Sequence, residues 1–224
     1  MTRLYIYLTV GLVALALAAS LILYPRLPAV IPTHWNIEGK IDGYGSKTWA
    51  TFLMPAIMAG MLLLFWALPW LSPKHFEVDS FRATYWFIAL VVTGMMGFVH
   101  ALTLWAALEA GNRQVQVDIT RLLLAGLLVM FVLIGNVMGK VRRNFYVGIR
   151  TPWTLASERV WNDTHRLAAR MFVVAGALGL LAIVLPLPLP AVVIVVIGLI
   201  MVAAVWPIVY SLLLYKRLER RGEV

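Results

Sequence analysis

The run ITRLLLAGLLVMFVLIGNVM, residues 119–138, decides the fold. It carries one charge, Arg121, near its edge, and its length matches the roughly 20 apolar residues with which an α-helix crosses a bilayer. Backbone in hydrocarbon has to be satisfied inside helices or closed barrels, and the period-two alternation of a barrel strand is missing here, so the run reads as a membrane-spanning helix. Working outward, comparable runs fall at 4–24, 51–71, 84–108, 168–185 and 191–215. The expected fold is therefore all-α, an integral membrane protein of six transmembrane helices. Composition agrees, because 62% of the 224 residues are hydrophobic and 13% charged, more apolar than a water-soluble surface tolerates. Ala16 and Ala18 have the spacing of a signal-cleavage site, but Leu21, Ile22 and Leu23 continue the run, which predicts an uncleaved first helix.

The net charge of +9, from 19 basic and 10 acidic residues, is distributed unevenly. Arg26, Lys40, Lys47, Arg113 and Arg121 fall on one side of the six spans, and the other Lys and Arg residues, Lys74 among them, on the opposite side. The positive-inside rule then places both termini in the cytoplasm. These basic residues flank apolar spans instead of lining a soluble face, so membrane lipids are the expected partners and direct nucleic-acid binding is not. Cysteine is absent, which removes disulfides, thiolate metal sites and cysteine nucleophiles.

Two connections are long, and long connections in compact membrane proteins carry function. The outer one, 25–50, is rich in Pro and Gly and is expected to be ordered. His34, Trp35, Asn36 and Asp42 are its candidate binding residues. His34, Glu38 and Asp42 have metal-ligand chemistry, but the glycines among them oppose a single helix and no second histidine lies near, so no metal is expected. A structural cap resting at headgroup level and an external binding surface both remain open for this loop. Within the third span, Thr93, Gly97, His100 and either Thr103 or Leu104 form a weakly polar stripe, read as a helix-packing face in preference to a proton relay.

The inner connection belongs to the segment GNVMGKVRRNFYVGIRTPWTLASERVWNDTHR, residues 135–166, which gathers most of the chain's polar chemistry. Gly135 and Gly139 permit close helix approach, and Asn136, Lys140 and Arg143 share a helix face. Asn144 and Gly148 should turn the chain, and Thr151-Pro152 reads as an N-cap followed by Pro at the first helical position, opening a helix near Trp153 that carries Trp161 and His165 on one side. Such a set suits either a positively charged lipid anchor or a formed pocket for an anion or peptide group. The candidate ligand-binding residues are Asn136, Lys140, Arg142, Asn144, Arg150, Thr151, Trp153, Trp161, Thr164, His165 and Arg166.

The same residues carry a resemblance. Pro28-x-x-x-Pro32-x-His34-Trp35-Asn36 with Gly39, Asp42 and Gly43 resembles an N-terminal module of unknown function found in bacterial proteins of the SdpI family. Gly135-Asn136, Lys140-x-Arg142, Asn144, Gly148 to Thr154, Val160-Trp161 and Thr164-His165-Arg166 resemble that family's second signature, with Arg143 standing where proline is expected. The resemblance implies modules at 1–71 and 72–224 in a multi-pass protein of the bacterial inner membrane. It further implies an immunity protein that protects against a secreted peptide toxin, or bacteriocin, and signalling by drawing a cytoplasmic transcriptional repressor to the membrane. A membrane enzyme or small-molecule transporter using the Arg/Asn/His cluster is the alternative. A non-enzymatic role without cofactor is expected, since no catalytic residue can be assigned and no G-x-S-x-G, H-E-x-x-H or phosphate-loop motif occurs.

Overall fold

The computed structural model describes residues 1–72, 78–109 and 118–224; Lys74 and Arg113 of the charge reading lie outside them. The chain runs through α1 (Thr2–Leu23), a hairpin of β1 (Val30–Trp35) and β2 (Ile41–Ser46), then α2 (Lys47–Ala67), α3 (Arg82–Glu109), α4 (Ile119–Met138), the short α5 (Pro152–Ala156), α6 (Glu158–Val184) and α7 (Leu189–Glu219). Among the described residues six helices, all but α5, are long and apolar enough to cross a membrane. This is a multi-pass membrane protein.

Two elements differ from the sequence reading. The outer connection contains an antiparallel hairpin, so the chain is mostly helical and not purely all-α. Val30 pairs with Ser46 and Ile31 with Gly45, and Asn36 closes the turn by accepting the backbone N–H groups of Glu38 and Lys40 at 3.0 and 2.9 Å. Ile31 is fully buried with Leu27, Ala50, Leu104 and Ala107, seating the hairpin on α2 and α3. The second difference is α6, which begins at Glu158, well ahead of the apolar run near 168. Ser157 interrupts the helix expected from Trp153, because its hydroxyl accepts from Val160 N–H as a fresh N-cap.

The bundle has two distinct ends. At one, Glu223 pairs with Arg159 at 2.5 Å, and Thr2 shares a cavity wall with Lys140 and Arg142. Both termini and the signature segment therefore sit together. At the other end Gly39 of the hairpin turn lies against Leu189. Between the ends, α4 and α6 pack most extensively, and their glycines permit it. A Cβ on Gly135 would meet Phe172 Cβ at 2.8 Å, and one on Gly176 would meet Leu128 O at 2.9 Å. Gly139 makes no comparable approach; its nearest neighbour would be Arg166 Cγ at 3.8 Å.

Two polar side chains inside the spans are matched to each other, while the buried Thr93 Oγ1 has no hydrogen-bond partner among the described residues. His100 Nε2 lies 2.9 Å from Ser20 Oγ, and the Ser20 hydroxyl donates to Thr51 O at 3.0 Å, tying α1, α2 and α3 together. This is the packing arrangement anticipated for the stripe. At the hairpin end Arg121 acts as a three-way clamp. Its Nε donates to Asp118 at 3.0 Å, Nη1 to Ile183 O at 2.7 Å and Nη2 to Leu187 O at 2.6 Å. The guanidinium thereby satisfies the Ile183 carbonyl in the last turn of α6 and the Leu187 carbonyl in the connection to α7. Arg121→Lys keeps the charge but loses the planar fork, and thermal unfolding in detergent should register a loss of about 1–3 kcal/mol; an unchanged melting temperature would show that the clamp is dispensable.

Candidate functional site

The signature segment is a folded cap fastened to four helices. It starts where α4 ends, and Asn144 forms its first fixed point. The Asn144 amide uses every hydrogen-bonding capacity it has: Nδ2 donates to Arg142 O at 2.9 Å and Val147 O at 2.8 Å, while Oδ1 accepts from Tyr146 N–H at 2.8 Å and Val147 N–H at 2.7 Å. The chain then turns through Gly148, whose φ is +113. A side chain there would be strained, and its Cβ would also overlap the His165 ring.

His165 meets the loop from α6. Ile149 N–H donates to its Nε2 at 3.0 Å, and its Nδ1 lies 2.8 Å from Trp161 O. A carbonyl can only accept and an amide N–H can only donate. The imidazole is therefore neutral with its proton on Nδ1. It is buried and stacked on Trp161, with ring centroids 4.1 Å apart and planes at 19°. Trp161 in turn is fully buried and donates its indole N–H to Val141 O at 2.8 Å, closing the link between α6 and the end of α4.

The next turn is fixed by a capping box. Thr151 Oγ1 accepts from Thr154 N–H at 3.2 Å, Thr154 Oγ1 accepts from Thr151 N–H at 2.8 Å, and the Thr154 hydroxyl donates to Ile149 O at 2.9 Å. Trp153 donates from its indole N–H to Ser211 Oγ on α7, and Ser211 donates on to Ile208 O at 2.6 Å. Arg143, where proline was expected, donates to Leu155 O at 3.1 Å and so holds the C-terminal end of α5. Tyr146 OH reaches Leu71 O just past α2 at 2.5 Å.

The candidate residues thus divide by burial. Asn144, Trp161, Thr164 and His165 are buried and Thr151 and Trp153 partly so, all of them inside the cap. Asn136, Lys140, Arg142, Arg150 and Arg166 are exposed. Arg150 donates to Phe145 O at 2.6 Å and Arg166 pairs with Asp163 at 2.6 Å. In the hairpin, His34 Nδ1 lies 2.5 Å from Asp42 Oδ1, Glu38 faces Lys40 at 2.7 Å, Trp35 is half-buried, and Asn36 is spent on the turn. Among the described residues no three His, Asp or Glu side chains come together. Sequence reasoning missed Ser211, Tyr146, Val141 and Arg143 as fastening points. Ser211 left the clearest trace, a single serine in an apolar run.

Fold and site together define a polytopic helical membrane protein capped at one end by a hydrogen-bonded signature segment. Residues 140–211 match the SdpI/YfhL protein family, and residues 11–59 match a domain of unknown function, DUF1648. The resemblance carried by the two signatures therefore holds, since the two matched stretches contain most of the residues that carry it. It is similar to the immunity protein SdpI of Bacillus subtilis (strain 168), with 29% identity over 169 residues, covering 75% of this chain and 76% of the relative. No solved structure matches the chain significantly.

The geometry makes two substitutions diagnostic of the cap. Asn144→Asp replaces a two-donor amide by an acceptor that faces two carbonyls, and it should cost about 2–6 kcal/mol, which is about 1–3 for each of the two lost bonds at a buried site. Gly148→Ala should fail similarly, by strain and by overlap with His165, and should lower the melting temperature in detergent by several degrees. Near-native melting of both variants would mean that the cap is not built as described.

Proposed function

We propose that this protein is a membrane immunity protein that protects its cell against a secreted antimicrobial peptide. The similarity to the B. subtilis immunity protein over three quarters of both chains supports this reading most directly. The fold is compatible with it. Asn144, Trp161 and His165 of the signature are consumed in building the cap, which leaves Lys140, Arg142, Arg150 and Arg166 exposed. We read 1–71 and 72–224 as two sequence modules that share one bundle, with both termini and the cap in the cytoplasm and the hairpin outside.

The test is survival. The chain and its variants are expressed at equal membrane levels in a sensitive bacterium and challenged with a panel of killing peptides. Wild type should protect against at least one. His165→Ala should lose that protection, because it strips the Ile149 amide and the Trp161 carbonyl of their partner at a cost of about 1–3 kcal/mol. Arg150→Lys should weaken protection if the planar guanidinium matters and leave it intact if charge alone does. No protection against any peptide would favour the transporter or enzyme alternative. Orientation has its own test, since the chain has no cysteine. In intact cells a membrane-impermeant maleimide should label Glu38→Cys and leave Val224→Cys unlabelled; equal labelling, or labelling of Val224→Cys alone, would overturn this topology.

A finer reading adds signalling. Exposed cations of the signature, Arg142 and Arg166 among them, would suit an acidic segment of a repressor. Charge reversal at Arg142 and Arg166 should then abolish membrane recruitment of such a repressor while leaving peptide protection intact; loss of both together would argue against separable roles.

A further inference from the structure

Two cavities open side by side at the signature end of the bundle. One, of about 550 Å³, is walled by Thr2, Asp79, Arg82, Lys140 and Arg142 and by the first turn of α3. The other, of about 510 Å³, is walled by Arg3, Ile6, Trp66, Pro69, Trp70 and Trp86. Thr2 and Arg82 line both, so the two spaces adjoin.

Their chemistries are complementary halves of one ligand. In the polar cavity Asp79 is committed to Arg82, at 2.6 Å from Nη2 and 3.1 Å from Nε. Lys140 and Arg142 have no ion-pair partner among the described residues and are both exposed to the cavity mouth. The wall therefore carries three cations against one carboxylate, and the start of the 28-residue α3 adds the positive end of a helix dipole. Such a wall favours an anion and gives a neutral ligand nothing. The adjoining cavity is aromatic and lies at helix ends, the level at which tryptophan meets the upper acyl region of a bilayer. A small soluble anion would leave that apolar wall unused.

We propose that the two cavities form one binding site for an anionic phospholipid. The phosphate sits among Lys140, Arg142 and Arg82, and the glycerol backbone and upper acyl chain lie along Trp66, Trp70 and Trp86. This assignment stands independently of the immunity reading. It makes the exposed cations of the signature a lipid-selective contact that joins the ends of α1, α3 and α4, while the cap itself remains a structural unit.

The test uses the purified full chain in detergent with three probes: phosphatidylglycerol with brominated acyl chains, phosphatidylcholine with the same chains, and inorganic phosphate. Bromine quenches indole fluorescence at contact, and native mass spectrometry counts retained lipid. Phosphatidylglycerol should quench and be retained as one copy, and phosphatidylcholine should do neither at the same concentration. Lys140→Ala/Arg142→Ala should weaken phosphatidylglycerol binding by about 25-fold, about fivefold for each cation removed, while Arg142→Lys should retain most of it. Trp70→Phe should reduce the quench with little change in retention. Lys140 and Arg142 are exposed, so the alanine variants should melt at the wild-type temperature, and this is measured alongside. Equal binding of the two lipids, unchanged affinity in the double variant, or complete displacement of the lipid by inorganic phosphate would each overturn the proposal, the last by showing a site for the anion alone.

Discussion

The hydrogen bond from the Ile149 amide to Nε2 of His165 is the constraint on which the cap depends. It requires an imidazole that is neutral, holds its proton on Nδ1 and is fixed in plane. Stacking on Trp161 and the bond to the Trp161 carbonyl supply those conditions. Gly148 is then the residue that lets the backbone come close enough, and Asn144 sets the direction from which it arrives. Each of these groups satisfies another, so none is free to change without orphaning a buried donor or acceptor.

A cap built this way solves a problem posed by the membrane. The signature is too polar to enter hydrocarbon and too long to be left as loose loop beside a rigid bundle. Folding it on itself and tying it to α7 through Trp153 and Ser211, to the end of α4 through Trp161, and to the residue beyond α2 through Tyr146 converts it into part of the core. Trp161 belongs to the same buried cluster as Tyr85, Trp86 and Val137. The opposite end is held by different means, a small hairpin over an apolar patch and the Arg121 clamp. α4 and α6 lie against each other with close backbone approach at Gly135 and Gly176.

The six spans were legible because hydrocarbon imposes a length and a composition that short-range pattern reveals directly. The Thr151-Pro152 start was legible for a similar reason, since capping is a local event. What stayed hidden depended on partners distant in sequence. The hairpin was obscured by prolines and glycines that fit a loop equally well, and only burial of Ile31 beneath it shows why those residues extend. A helix carrying Trp161 and His165 was expected, but its continuity with the apolar run near 168 was hidden because Glu158, Arg159, Asn162, Asp163 and Arg166 lower the hydropathy of its first turns. Arg121 counted as a topology charge, although its guanidinium closes another helix. Within the signature, residue types drew attention to the right segment. They did not separate the framework made by Asn144, Trp161 and His165 from the exposed cations Lys140, Arg142, Arg150 and Arg166, because burial is a property of the fold.

The central claim, that the signature is a rigid cap locked by one imidazole, can be read directly from nitrogen-15 spectra of histidine-labelled protein near neutral pH. His165 should show a protonated Nδ1 and an unprotonated Nε2, with a scalar coupling across the hydrogen bond from the Ile149 amide to Nε2. An Nε2-protonated ring, or averaged shifts from a ring exchanging tautomers freely in water, would contradict it.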